Sequence, residues 1–293
     1  MADETESVRR TDPEAILDEV ERLQSDRPHR DARRAFFAEG VRNLVEADAN
    51  GFDVRAIVVS ERLLTSSIAR KRVRDRRGAG VPTIAVGPED FRRVSRAPRA
   101  SGVGAILGQR WDRLHSASPR AGLCWVVLED VRSLGNLGTL IRTSEAVGGA
   151  GFILVGGRVD PYDPAVVRAT MGGLFRQRFI RTTAGSLRHW LRRHGCHAVG
   201  ASPEGPAEFH RVDYPRPTVL LLGEEGRGLS PSQRGLCPQL VRIPMVGAAD
   251  SLNVAVAGSL LLYEVYRSHA AGRARRPGRT RGDFPRGKRG RRG

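Results

Sequence analysis

At 293 residues the chain is long enough for two modest domains, each with a core of its own. Its net charge of +17 and pI near 11.3 point to a polyanionic partner, with nucleic acid the favoured class. No apolar run approaches the eighteen residues of a membrane span, and "MADETESVRR" lacks the basic start and apolar core of a secretory signal. Cys124, Cys196 and Cys237 are scattered and without CxxC spacing, which argues against a disulfide framework or a zinc site and for a reducing cytoplasm.

In chain order, residues 1–28 read as an N-terminal extension with a short amphipathic helix over 13–24. Residues 29–108 alternate helical and extended patterns and read as a small α/β domain. There "RRAFFAEGVRNLVEADANG" is expected as one helix ended by Gly51, "VRAIVVS" as a strand and "RLLTSSIARKRVRDRRG" as a basic helix. "VPTIAVG" reads as a strand, "PEDFRRVSR" as a helix started by proline, and "SGVGAIL" as a last strand. The polar stretch over 109–122 reads as a linker.

Residues 123–270 read as a second domain. "LCWVVLED", "GFILVGG", "HAVGAS" and "TVLLLGEEG" are short, continuously apolar strands with helical patterns between most of them. Such runs predict a parallel sheet covered on both faces. "SLNVAVAGSLLLYEVY", residues 251–266, predicts a largely apolar helix that Ser251 can cap, with Asn253 in its first turn. Residues 271–293 are Gly- and Arg-rich and read as a disordered basic tail.

Ligands of a parallel sheet sit beyond the carboxyl ends of its strands. Here that rim gathers an Arg, a Glu, a Ser and an Asn. Taken singly, each has an ordinary reading: Asn136 as a helix cap, Arg142 as one more solvated cation, Glu225 as a cap or ion-pair partner, Ser251 as a cap. The glycines of "GGAGFILVGG" precede their strand, and "GEEGRG" lacks the end of a phosphate-binding loop and carries two acids. Nucleotide hydrolysis and hydride transfer are therefore rejected.

Joint order adds what single residues do not. "NLGTLIRTSEAVGGAGFIL", "LLLGEEGRGLS" and "IPMVGAADSLNVAVAGSLLLYE" resemble the three successive motifs of the SpoU/TrmH family of RNA 2′-O-ribose methyltransferases, and "VRATMGGLFRQRFI" resembles the segment that links them. "FFAEGVRNLVEA", "GVP" and "GVGAIL" resemble the family's N-terminal substrate-binding domain.

The resemblance implies an α/β catalytic domain with a parallel sheet and a trefoil knot, behind a small α/β RNA-binding domain. It implies S-adenosyl-L-methionine as cofactor, lined by Gly223, Ile243 and Leu252, with Met245 and Ala201 beside them, and no metal. It implies a catalytic set of Asn136, Arg142, Glu225, Ser251 and Asn253. A guanidinium is effectively always protonated, so Arg142 is expected to hold the 2′-hydroxyl and its phosphate and to stabilise developing alkoxide charge. Glu225 is expected to orient Arg142, and Asn253 to fix groups at the helix mouth. RNA is the implied partner, large-subunit (23S) rRNA first, acted on by a homodimer. An antibiotic-resistance rRNA enzyme, a tRNA 2′-O-methyltransferase and a non-catalytic ribosome-assembly factor are the alternatives.

Overall fold

The computed structural model describes residues 12–248 and 251–274. Two helices come first, α1 (Pro13–Ser25) and α2 (Arg27–Arg33), capped by Asp12 and Asp26. After Arg34, whose φ of 47° ends α2, the chain enters β1 (Ala35–Glu39). "AFFAE" is thus a strand, where one continuous helix was expected. Phe36 and Phe37 bury opposite faces of a sheet, which period-two geometry allows and a helix does not. Gly40, at φ 109°, then permits the turn into α3 (Val41–Ala49).

β2 (Val54–Val59), α4 (Ser67–Gly78), β3 (Thr83–Ala85), α5 (Pro88–Val94) and β4 (Val103–Gly108) complete this layer. Its sheet order is β1-β4-β2-β3. Ser66 caps α4, which leaves "RLLT" outside the helix expected there. On one face α1 packs Ile16, Leu17, Val20 and Leu23 against Phe37, Val58, Phe91 and Ile106. Residues 13–25, read from sequence as part of an extension, therefore belong to this layer.

The second sheet has seven parallel strands in the order β7-β6-β5-β10-β8-β11-β9. They are β5 (Trp125–Leu128), β6 (Gly151–Val155), β7 (Phe179–Thr182), β8 (His197–Ala201), β9 (Ala207–Glu208), β10 (Thr218–Leu222) and β11 (Gln239–Arg242). Between and after them lie α6 (Leu134–Ala146), α7 (Pro164–Ala169), α8 (Ala184–Arg193), α9 (Pro231–Arg234) and α10 (Val254–Ala274). α10 takes in the first residues of the stretch read as a tail; the remainder of that stretch lies outside the described residues.

Both faces of this sheet are covered. α6 and α10 share one core with Val126, Leu128, Leu220 and Leu222, and α8 shares another with Trp125, Val127, Ile153 and Leu221. Connections leave β5 and β10 in opposite directions, so a crevice opens between their carboxyl ends. Among the described residues no helix is long and apolar enough to cross a membrane.

The core under α6 and α10 runs on into the N-terminal sheet. The Phe36 ring lies 4.7 Å from Tyr162, and Phe52 lies 5.0 Å from Phe175. The 109–122 stretch is tied down as well: Asp112 bridges to Ile180, and the Arg110 N–H donates to the Tyr162 hydroxyl at 2.9 Å. Between the layers Arg30, 3% exposed, donates to Asp160 Oδ2 at 2.8 Å and to the Leu23 carbonyl at 2.9 Å.

Asp160 is itself 6% exposed, and the next cation, Arg27, is 3.8 Å away. Removing Arg30 strands a buried carboxylate, a loss of about 3 kcal/mol. Urea denaturation should show Arg30→Met destabilised by roughly that amount, with Arg30→Met/Asp160→Leu recovering part of it. A single-variant loss below about 1 kcal/mol would mean that Arg27 takes over the pairing.

Candidate active site

The carboxyl ends of β8, β10 and β11 and the start of α10 surround a cleft of about 270 Å³. β10 ends at Leu222, and beyond Gly223 the backbones of Glu224 and Gly228 exchange hydrogen bonds of 3.0 and 2.9 Å. A Cβ at Gly223 would lie 2.0 Å from the Gly228 carbonyl carbon, so the turn closes on glycine there. The lining combines Leu222, Val241, Ile243, Leu252 and Val254 with the carboxylates Glu204, Glu224 and Glu225. Arg234 pairs with Glu204 at 2.9 Å, and Arg132 with Glu224 at 2.5 Å.

All five residues expected to hold the cofactor, Ala201, Gly223, Ile243, Met245 and Leu252, line this cleft, together with Glu225 and Ser251. Apolar walls with an acidic share suit an adenosine-bearing cation such as S-adenosylmethionine. Among the described residues no group of three or more His, Cys, Asp or Glu is placed to hold a metal ion.

Beside the cleft runs a chain of polar side chains. Ser133, not Asn136, caps α6, its hydroxyl accepting from the Asn136 N–H at 3.4 Å. Asn253, not Ser251, caps α10, its Oδ1 accepting from the N–H groups of Ala255 at 2.8 Å and Val256 at 3.3 Å. Asn253 Nδ2 then donates to Asn136 Oδ1 at 2.8 Å, and Asn136 Nδ2 donates to Glu225 Oε1 at 2.8 Å. The Arg132 N–H donates to Glu225 Oε2 at 3.1 Å.

Burial pushes the Glu225 pKa up, but the Asn136 amide and the N–H groups of Arg132, Glu225 and Ser133 outweigh it and hold the carboxyl below its ordinary range. A depressed pKa means that these bonds stabilise the fold above the ordinary carboxylate value and are lost as pH falls through the folded one. Glu225 is therefore an anion at neutral pH.

Arg142 stands apart from this chain. It is exposed, does not line the cleft, and its guanidinium has no hydrogen bond or ion pair among the described residues. It follows Asn136 by six residues, roughly 9 Å along and about 240° around α6. Glu225 consequently does not orient Arg142, as the sequence reading expected; the Asn136 amide and backbone N–H groups take its oxygens. Next to Arg142, Thr143 accepts from Ser259 at 3.0 Å, which sets α6 beside α10. α10 there leaves Val256, Leu260, Tyr263 and Tyr266 exposed along one stripe.

Arg132 and Ser133 escaped the sequence reading, which placed Glu224 at the rim but gave it no role. The only signal for the first two was position, in the loop after β5. The thiols offer no nucleophile, because burial pushes Cys124 and Cys237 up to about 12 and Cys196 up to about 11.

The model of the SpoU rRNA Methylase family matches residues 124–263, and that of the MRM3-like substrate binding domain matches residues 18–105. A 23S rRNA (uridine(2479)-2′-O)-methyltransferase of Streptomyces viridochromogenes is 31% identical, over 90% of this chain and 93% of the relative. The AdoMet-bound rRNA methyltransferase of Sinorhizobium meliloti superposes with a TM-score of 0.79 at 32% identity, over 86% of this chain and 94% of that one. The SpoU methyltransferase AviRb of S. viridochromogenes, in complex with AdoMet, gives 0.79 at 31% identity, over 88% and 100%.

The double duty of Asn253 can be separated by substitution. Asn253→Ala should lose about 1 kcal/mol, the usual worth of a helix cap. Asn253→Ser keeps a capping oxygen but is too short to reach Asn136, so its loss in thermal unfolding should be only a few tenths of a kcal/mol. Equal losses in both variants would shift the stabilising role from the cap to the Asn136 bond.

Proposed function

Since the chain belongs to the SpoU rRNA methylase family, it is an S-adenosylmethionine-dependent RNA 2′-O-methyltransferase, and we propose that it acts on large-subunit (23S) rRNA as a homodimer in the cytoplasm. The observation that carries the site assignment is the convergence of Ala201, Gly223, Ile243, Met245 and Leu252 on one cleft, against the Asn253–Asn136–Glu225 chain. The rRNA assignment is supported by the N-terminal layer, matched by a substrate-binding family, and by a 23S rRNA enzyme alignable over both halves. A trefoil knot in the segment carrying β10, β11 and α10 forms part of the proposal.

When bound, S-adenosylmethionine supplies a methyl group activated on a sulfonium. The cleft residues would hold it, with the ionised Glu225 supplying negative charge to the lining. Asn136, Glu225 and Asn253 act as a unit that fixes the start of α10 and the loop after β10 on either side of the reacting groups. Ser251, exposed in the cleft, is free to meet the ribose.

Arg142 is the cation for the ribose hydroxyl and its phosphate, and it cannot serve the cleft of its own subunit through Glu225. In the proposed homodimer the stripe Val256, Leu260, Tyr263 and Tyr266 packs against its symmetry mate, an isologous contact. Arg142, exposed on α6, the helix that packs against α10, would in that dimer be offered to the partner's cleft. The apolar exposure of α10 and the isolation of Arg142 then have one cause.

Two measurements test this reading. Methyl transfer to a fragment of large-subunit rRNA should protect one internucleotide bond from alkaline cleavage, and deoxyribose at that nucleotide should abolish transfer while RNA binding persists. Methylation of the deoxy substrate, or a methyl group found on a base by mass spectrometry, would refute it. Arg142→Ala should cut single-turnover transfer by about 100-fold or more, with cofactor affinity unchanged because Arg142 lies outside the cleft. Near-normal turnover would remove Arg142 from the mechanism.

A further inference from the structure

The face of the catalytic sheet opposite α6 and α10 is covered by α8, whose sequence "AGSLRHWLRRHG" divides sharply by side. Leu187, Trp190 and Leu191 are buried in the core beneath, while Arg188, His189, Arg192 and Arg193 are exposed. A solvated helix face rich in arginine is ordinarily interleaved with acids at three- and four-residue spacing. Here no Asp or Glu occurs from residue 183 to 203, nor from 113 to 128 in the turn that packs against α8.

Arginines elsewhere in the chain are commonly paired. Arg93 meets Glu14 and Glu21, Arg176 meets Glu46 and Glu145, and Arg178 meets Asp112. The guanidinium groups of Arg188, Arg192 and Arg193 have no hydrogen bond or ion pair among the described residues. Three neighbouring cations held without counter-charge repel one another, so the fold gains nothing from them.

Next to this face lies a second cleft, of about 480 Å³, remote from the first in its lining. His115, His189, His194, Arg193, Ser186 and Trp190 are among the residues around it. The Trp190 indole Nε1 is buried and has no hydrogen-bond partner among the described residues, an unpaired donor in a side chain that lines the cleft. Every polar side chain just named can donate, and none is an acid. That is the complement of a sugar–phosphate backbone.

We infer that α8 and the adjoining cleft form a second RNA-binding surface, which holds backbone phosphates of the substrate away from the reacting ribose. The inference rests on the reading of the chain as an RNA methyltransferase. It adds an anchoring site on the face that neither the cofactor cleft nor the exposed stripe of α10 uses. Phosphate contacts fix register and orientation rather than sequence, so this surface contributes affinity and placement.

The test uses the full-length protein with an rRNA fragment that the wild type methylates. Binding is followed by fluorescence anisotropy across a salt series. Arg188→Gln/Arg192→Gln/Arg193→Gln should flatten the plot of log K against log salt by about 2, at roughly 0.7–0.9 per lost phosphate contact, and weaken binding about 100-fold at 0.1 M salt. The melting temperature and the S-adenosylmethionine affinity should match the wild type. The charge-preserving Arg188→Lys/Arg192→Lys/Arg193→Lys protein should bind RNA within about threefold of wild type, because a point charge serves a phosphate.

A glutamine variant with the wild-type slope and affinity overturns the inference while leaving the methyltransferase reading intact. Equal losses in the lysine and glutamine variants overturn the phosphate assignment. A change in sedimentation without a change in salt slope assigns the surface to a second copy of the chain instead. A wild type that neither binds nor methylates RNA would fail the underlying reading, and this inference with it.

Discussion

Two amide hydrogen bonds join segments that lie 117 and 89 residues apart: Asn253 to Asn136, and Asn136 to Glu225. Their direction follows from the helix cap. Because Asn253 Oδ1 accepts the free N–H groups at the start of α10, only its Nδ2 can face Asn136. Asn136 must then present Oδ1 to Asn253, which turns its Nδ2 towards Glu225. The far end needs an acceptor, and an ionised carboxylate held by further N–H groups is the strongest available. An amide is the side chain that can both accept and donate at the middle of such a chain.

The bonds form only if three elements come close, and small residues set that distance. A Cβ on Gly258 of α10 would lie 2.4 Å from Leu140 on α6 and 2.6 Å from Leu222 at the end of β10. One glycine thus lets α10 settle against both elements that carry its polar partners. On the other side of α6, a Cβ on Gly138 would lie 2.3 Å from Ala169 Cβ, so α7 is equally close. The α6 helix is held from two sides, and Asn136 in its first turn has little freedom to drift. A site built on packed helices and strand ends keeps its geometry better than one on loops alone.

Much of the catalytic half was legible because its strands are buried on both faces. "WVVL", "GFILV" and "TVLLL" leave no other arrangement that hides so continuous an apolar run between turn residues. β7 and β11 were missed for the converse reason: "FIRT" and "QLVR" carry polar residues and are four residues long. "AFFAE" misled because its helical neighbours are strong, and only the pairing with β4 decides it. At the site, residue identity was readable and connectivity was not. Asn136 and Asn253 have the right chemistry for caps, yet only one of them is a cap, since Ser133 takes the other position. Which group Glu225 holds depended on the phase of α6, which no motif spacing reports on its own.

The charge that dominates the composition has two populations with different physical fates. Arg30, buried against Asp160, is part of the scaffold, and its partner would be stranded without it. Arg142, Arg188, Arg192 and Arg193 are exposed and unpaired among the described residues, so folding does not account for them. Salt screens the second population far more than the first, because a charge in water loses its long-range attraction within roughly 8–10 Å at 0.1–0.15 M ionic strength. Rising salt should therefore release RNA well before it loosens the interlayer contacts. A strongly basic chain can in this way keep a rigid fold and a reversible grip on a polyanion, because different arginines serve the two tasks.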